Sequence, residues 1–180
     1  MENLKMIRKA NLNDINSIMD IIKSTVEEMK TYNNTQWDEN YPQPIDFTED
    51  VESGDLYVQD EDGKIIGFIC VNYMEPTEYE DLSWESKDKA MVIHRMAVNP
   101  NYRQQGVATK LMNFAEELAL KNNVVYLKTD TYSINTKMNS LFKKCGFNLV
   151  GEMNFLGKEK PFYCYDKLLI DRAVEFKSEF

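Results

Sequence analysis

Along NLNDINSIMDIIKSTVEEMK the apolar residues Leu12, Ile15, Ile18, Met19, Ile22, Val26 and Met29 recur three and four apart. That spacing predicts an amphipathic helix, capped by Asn11 or Asn13. LKMIRKA before it alternates, as a short strand does. TYNNTQWDENYPQP is loop by its Asn and Pro content. In DFTEDVESG, Asp46 followed by Glu49 resembles a capping box, and Gly54 sits where that second helix would stop. Leu56 to Gln59 and Lys64 to Tyr73 predict a hairpin around DEDG. The polar connection EPTEYEDLSWESKDKA leads to a strand, MVIHRMAV. A helix from about Val107 to Asn122 follows, with Val107, Ala108, Leu111, Met112, Ala115, Leu118 and Ala119 inward. NVVYLKTDT is nearly continuously apolar, as expected mid-sheet. INTKMNSLFKKCGF places Met138, Leu141, Phe142 and Cys145 on one helix face, ended by Gly146. A last antiparallel pair flanks GKEKP. The order β-α-α-β-β-β-α-β-α-β-β predicts an α/β fold on a mixed sheet. With 180 residues, and no repeat or linker, residues 1–180 are expected to form a single domain.

Composition narrows the function. A formal net charge of −9 argues against nucleic acid or an anionic membrane as partner, because both need basic surfaces. It mildly favours a cationic small molecule, although solubility alone also explains an acidic chain. Cys70, Cys145 and Cys164 are scattered and form no CxxC pair. Free thiols in a reducing compartment are expected, with no disulfide framework and no metal site. The N-terminus lacks the apolar core of a signal peptide, and no apolar run approaches the ~18 residues of a membrane span. The expected location is the cytoplasm.

The most informative stretch is VNPNYRQQGVATKLM, Val98 to Met112. A helix N-terminus presents free N–H groups and a partial positive charge, and phosphates bind there. Gly106 would let an anion approach the backbone, Ala108 keeps the first turn small, and Arg103 adds charge. By itself the pattern also reads as a plain turn. The dinucleotide fingerprint GxGxxG and the phosphate loop GxxxxGK[ST] are both missing.

Two motifs together carry a resemblance. MVIHRMAVNPNYRQQGVATKLM holds Val-x-Pro ahead of Arg-x-x-Gly-x-Ala. DTYSINTKMNSLFKKCGF is an Asn-led helix with Leu-Phe and then Gly-Phe at its end. From Met91 to Gly151 the chain resembles the GNAT superfamily, the acyl-CoA-dependent N-acetyltransferases. The resemblance implies a GNAT fold: a mixed, mostly antiparallel sheet of about seven strands with four helices. It implies acetyl-CoA as co-substrate. The backbone of Met96, Ala97 and Val98 would pair with the pantetheine arm where their strand splays from its neighbour, and an N–H near Val98 would polarise the thioester carbonyl. Arg103, Gln104, Gln105, Gly106, Val107, Ala108 and Thr109 would hold the pyrophosphate. Asn135 would meet the pantetheine region, and Phe142 and Lys143 would flank the cofactor.

His94 is the chain's single histidine. By alternation it shares a side with Met96 and Val98. An imidazole titrating near ~6.5 suits removal of a proton from an incoming ammonium. His94 is therefore the candidate base, and a packed strand histidine is the other reading. Glu85 and Asp130 are alternative bases. Many family members place a tyrosine at the position of Phe142 to protonate the leaving thiolate; phenylalanine cannot donate a proton, and Tyr132, Ser140 and Tyr163 are unranked substitutes. Cys145, on an apolar helix face, suits an acyl-carrying role poorly. On the acceptor side, Trp37, Asp38, Glu39, Tyr41, Tyr73, Glu75, Tyr79, Trp84, Glu85, Phe155 and Tyr163 offer aromatic faces and carboxylates for an amine. The expected activity is direct transfer of acetyl to a primary amine of a small molecule in a ternary complex. A protein or peptide acceptor, and a non-catalytic acetyl-CoA-binding module, stay as rivals. A homodimer is left open.

Overall fold

The structure, a computed structural model, describes residues 5–179. Seven strands form one sheet in the order β1-β2-β3-β4-β5-β7-β6. They are β1 (Lys5–Lys9), β2 (Leu56–Glu61), β3 (Lys64–Asn72), β4 (Met91–Val98), β5 (Tyr126–Tyr132), β6 (Asn148–Met153) and β7 (Phe162–Leu168). The helices are α1 (Ile15–Lys30), α2 (Pro44–Glu52), α3 (Val107–Lys121), α4 (Thr136–Lys144) and α5 (Ile170–Ser178). β1–β2, β2–β3, β5–β7 and β6–β7 are antiparallel, and β4–β5 is parallel. The α/β architecture and its mostly antiparallel mixed sheet are as the sequence predicts.

Three details differ. Five α-helices are present among the described residues where four were expected: α5, whose Ile170 and Val174 are exposed, is the addition. α2 begins at Pro44, and Asp46 closes the capping box from inside the helix by accepting from Gln43 N–H at 2.7 Å. Leu12 lies in a 3₁₀ turn, Leu12–Asp14, and is exposed, so it does not join the α1 stripe. The expected first strand, LKMIRKA, is β1, and its Leu4 lies outside the described residues.

The chain divides into two compact units, with boundaries inside β4 and α3. The first comprises residues up to Val71 with His94–Leu111. Its core sets Ile18, Ile22 and Val26 of α1 and Phe47 of α2 against Leu56, Val58 and Phe68. The Phe47 and Phe68 rings meet edge-on, 5.3 Å apart. Asp14 fixes the chain between β1 and α1. It receives Arg8 Nη1 at 2.8 Å and Asn11 N–H at 2.8 Å.

The second unit comprises Asn72–Ile93 with the chain from Met112 onward. Its core gathers Tyr79, Val92, Tyr132, Met153, Phe162 and Cys164. Asn135 caps α4 by accepting from Met138 N–H at 3.2 Å. Buried Asn139 is satisfied by the Asn135 carbonyl at 2.9 Å and by the Tyr165 hydroxyl at 2.6 Å.

Candidate active site

In the first unit, β4 leads through a short loop into α3. The β4–β5 ladder pairs Met91–Ile93 with Leu127–Thr129 within the second unit, and His94–Val98 continue β4 in the first. Met96, Ala97 and Val98 are buried, and His94 and Arg95 are half-buried. Asn99 N–H donates to the Ile66 carbonyl at 2.8 Å, which ties the strand's end to β3.

Gly67 explains how α3 comes close. A Cβ there would stand 3.2 Å from the Ala97 carbonyl oxygen and from Val107 and Leu111 side-chain carbons. A glycine inside a strand thus marks a close approach of backbone and helix. Gly67→Ala should cost about 1–3 kcal/mol by overpacking, read as a lower midpoint in denaturant unfolding. An unchanged midpoint would mean the contact relaxes freely.

The loop turns on two left-handed residues, Gln104 at φ 62° and Gly106 at φ 77°. Sequence reasoning named Gly106 but had no signal for Gln104, since a left-handed conformation is uncommon without glycine. The bond from Lys110 N–H to the Gly106 carbonyl, at 3.0 Å, belongs to the first turn of α3. The first N–H groups of such a helix have no partner within it. Apart from its own chain neighbours, no atom of the described residues lies within 4 Å of where a Gly106 Cβ would stand. The helix head is therefore open to an anion.

Arg103 is not a loose charge beside this opening. Its Nη1 donates to Glu28 Oε1 of α1 at 2.8 Å. Its Nε is buried without a hydrogen-bond partner among the described residues. A buried N–H left unpaired costs about 1–3 kcal/mol, and an incoming acceptor would recover it. Open backbone at Gly106, an unsatisfied donor on Arg103 and the helix dipole together fit the diphosphate of acetyl-CoA.

Arg95, the neighbour of His94, went unnoticed in the sequence. Its Nη2 meets Asp50 Oδ2 at 2.5 Å, and its Nη1 donates to the Tyr41 hydroxyl at 2.8 Å. This joins β4 to α2 and to the loop before it. Trp37 is buried in the same core, and Asp38 accepts the amides of Asn40 and Tyr41. Three of the expected acceptor-side residues in this unit thus have structural work.

In the second unit Asn135 is buried at its capping position. Phe142 is also buried, with ring centroids 5.4 Å from Tyr165 and 5.9 Å from Phe147. Lys143 is exposed. Burial pushes the Cys145 thiol up, away from the thiolate an acyl carrier needs. Phe155 packs edge-on against Phe162 at 5.4 Å. Three acceptor-side candidates, Glu75, Tyr79 and Trp84, come together here with β5, and Glu85 meets β7. The Tyr79 hydroxyl donates to Asp130 Oδ2 at 2.5 Å, and Trp84 Nε1 donates to the Tyr79 carbonyl at 2.8 Å. Lys128 Nζ pairs with Glu75 at 2.8 Å and lies 4.5 Å from the Trp84 ring centre. The Glu85 N–H donates to Asp166 at 3.1 Å. Burial raises the Asp130 carboxyl to about 6, against the opposing pull of the Tyr79 bond.

Comparison with known proteins places this arrangement. The profile of the acetyltransferase (GNAT) family matches residues 18–147, and the chain belongs to that family. It is an acyltransferase. Uncharacterised N-acetyltransferase YesJ of Bacillus subtilis (strain 168) is 21% identical over 142 residues, spanning 77% of this chain and 78% of that protein. Streptothricin acetyltransferase of Escherichia coli is 33% identical over 69 residues, spanning 38% of this chain and 40% of that protein. A candidate acetyltransferase from Staphylococcus aureus Mu50 superposes with a TM-score of 0.73 at 32% identity, over 91% of this chain and 99% of that one. A GNAT-family acetyltransferase from Streptococcus agalactiae 2603 gives 0.79 at 24% identity, over 91% and 95%. Among the described residues no helix is long and apolar enough to cross a membrane.

Proposed function

We propose that this chain transfers the acetyl group of acetyl-CoA directly to a primary amine of a small molecule, in a ternary complex formed by residues 1–180 as one cytoplasmic acetyltransferase domain. The observation that carries the reading is the open helix head at Gly106 beside the unsatisfied Arg103 Nε. Acetyl-CoA supplies the activated acetyl group. The amides of Gln104, Gln105, Gly106, Val107, Ala108 and Thr109 hold its diphosphate, with Arg103 alongside. The backbone of Met96, Ala97 and Val98, at the end of β4, is the part that would pair with the pantetheine arm. The Val98 N–H is the donor for the developing oxyanion. Asn135 caps α4 and Phe142 packs against Tyr165; with Lys143 they are the residues that the family resemblance assigns to the cofactor.

His94 takes the proton from the incoming ammonium. The freed amine attacks the thioester carbonyl, the C–N bond forms, the C–S bond breaks, and the proton shed by the amide nitrogen passes through water to the departing CoA thiolate. A thiolate is a tolerable leaving group, which lets the chain carry phenylalanine at 142. The net charge of −9 favours a cationic acceptor. Similarity to streptothricin acetyltransferase supports a small molecule over a protein chain.

A panel of arylalkylamines, polyamines, aminoglycosides and peptides, read by release of free CoA thiol, tests the assignment. Turnover is expected on at least one small amine. Turnover on peptides alone would overturn the small-molecule acceptor, and acetyl-CoA binding without any turnover would overturn the enzyme assignment.

A further inference from the structure

Arg103 is held at both ends. Its backbone follows the 3₁₀ turn Pro100–Tyr102, and its N–H donates to the Pro100 carbonyl at 3.4 Å. Its guanidinium is held by α1, because Nη1 donates to Glu28 Oε1 at 2.8 Å. Both residues are half-buried. Among the described residues no other acceptor meets the Arg103 side chain. α1 also packs against the Pro100–Tyr102 turn itself. Glu28, Arg103 and Gly106 all belong to the first unit.

Glu28 lies in the last turn of α1, on a fixed stretch of backbone. The Thr31 N–H at 3.0 Å and the Thr31 hydroxyl at 2.6 Å both donate to the Glu28 carbonyl. A carboxylate at that end of a helix gains nothing from the dipole. It does gain a charge-assisted bond to Arg103. An arginine that is free in solution loses rotamer freedom when it grips a phosphate, and one that is already fixed loses less. With Nη1 committed to Glu28 the guanidinium plane is set, and Nε, buried and unpartnered, is left for another acceptor.

Resting on the acetyl-CoA reading above, we infer that Glu28 is a positioning residue for the cofactor: it touches neither acetyl-CoA nor the acceptor, and it holds the Arg103 guanidinium ready for the diphosphate. Its charge and its geometry act in opposite directions. As a negative charge it weakens the attraction of Arg103 for an anion. As a hydrogen-bond acceptor it pre-orients the donor. Geometry is the larger of the two here, so removing the carboxylate costs affinity although it makes the neighbourhood more positive.

The experiment is a calorimetric titration with acetyl-CoA of wild type, Glu28→Ala, Glu28→Gln, Glu27→Ala, Arg103→Ala and the double variant Glu28→Ala/Arg103→Ala, with thermal melts to report the fold. Glu28→Ala is expected to raise Kd about tenfold, the worth of one hydrogen bond to a charged group. Glu28→Gln should recover most of the loss, because its amide oxygen can still accept from Nη1. Glu27→Ala removes the same charge from an exposed neighbour and should leave Kd within about twofold. In the Arg103→Ala background, Glu28→Ala should change Kd no further. Unchanged or tighter binding in Glu28→Ala, no recovery in Glu28→Gln, an equal loss in Glu27→Ala, or the same loss with and without Arg103 overturns the positioning role and leaves the acetyl-CoA reading intact. Wild type that does not bind acetyl-CoA overturns that reading itself.

Discussion

Gly106→Glu removes acetyl-CoA binding and leaves a folded protein. The glycine holds φ 77°, and apart from its chain neighbours nothing in the described residues lies within 4 Å of an added Cβ. A side chain there meets no steric conflict with the protein; it occupies the volume needed by the diphosphate. The left-handed backbone adds strain of about 1–2 kcal/mol, small against typical domain stability. The larger effect is electrostatic. A carboxylate about 4 Å from a phosphate charge is repelled by roughly 4 kcal/mol at an effective dielectric of 20. Allowing for partial relaxation, affinity should drop at least ~100-fold. Calorimetric titration with acetyl-CoA reads the loss, and a thermal melt reports the fold. Gly106→Ala, which brings strain without charge, should retain most of the affinity.

His94→Ala should lower kcat by about 10²- to 10⁴-fold, the range that a positioned general base contributes, while acetyl-CoA affinity stays within about twofold. The loss should be greatest near neutral pH and shrink as the pH rises, because the free amine then needs no base. His94→Gln separates the base from its packing: it restores volume and hydrogen bonding but not proton acceptance, so it should be as slow as alanine. Recovery of turnover in His94→Gln would assign the histidine to packing in β4.

What the sequence conveyed depended on how local each feature was. The α1 stripe and the turn-to-helix junction at Gly106 are written in neighbouring residues, so periodicity and one glycine sufficed. The family motifs extended the reading to the strand order. Tertiary pairings were not accessible. Arg103 meets Glu28 from 75 residues away, and Tyr79 meets Asp130 across 51. No window on the chain contains both partners of either pair. Gly67 looked like an ordinary strand residue because its neighbours Val107 and Leu111 arrive from another element. Trp37 and Tyr41 suggested an amine site by composition, which could not show that Trp37 is buried in the core or that the Tyr41 hydroxyl accepts from Arg95. α5 escaped notice because it is short and two of its apolar residues, Ile170 and Val174, are exposed.

The central claim is that the head of α3 grips the diphosphate of acetyl-CoA. The most direct test is a crystal structure of the wild-type protein grown with saturating acetyl-CoA. Phosphate oxygens are expected within hydrogen-bond distance of the amides from Gln104 to Thr109, with Arg103 Nε paired to one of them. A diphosphate bound elsewhere, with Gly106 and Arg103 unchanged, would contradict the account.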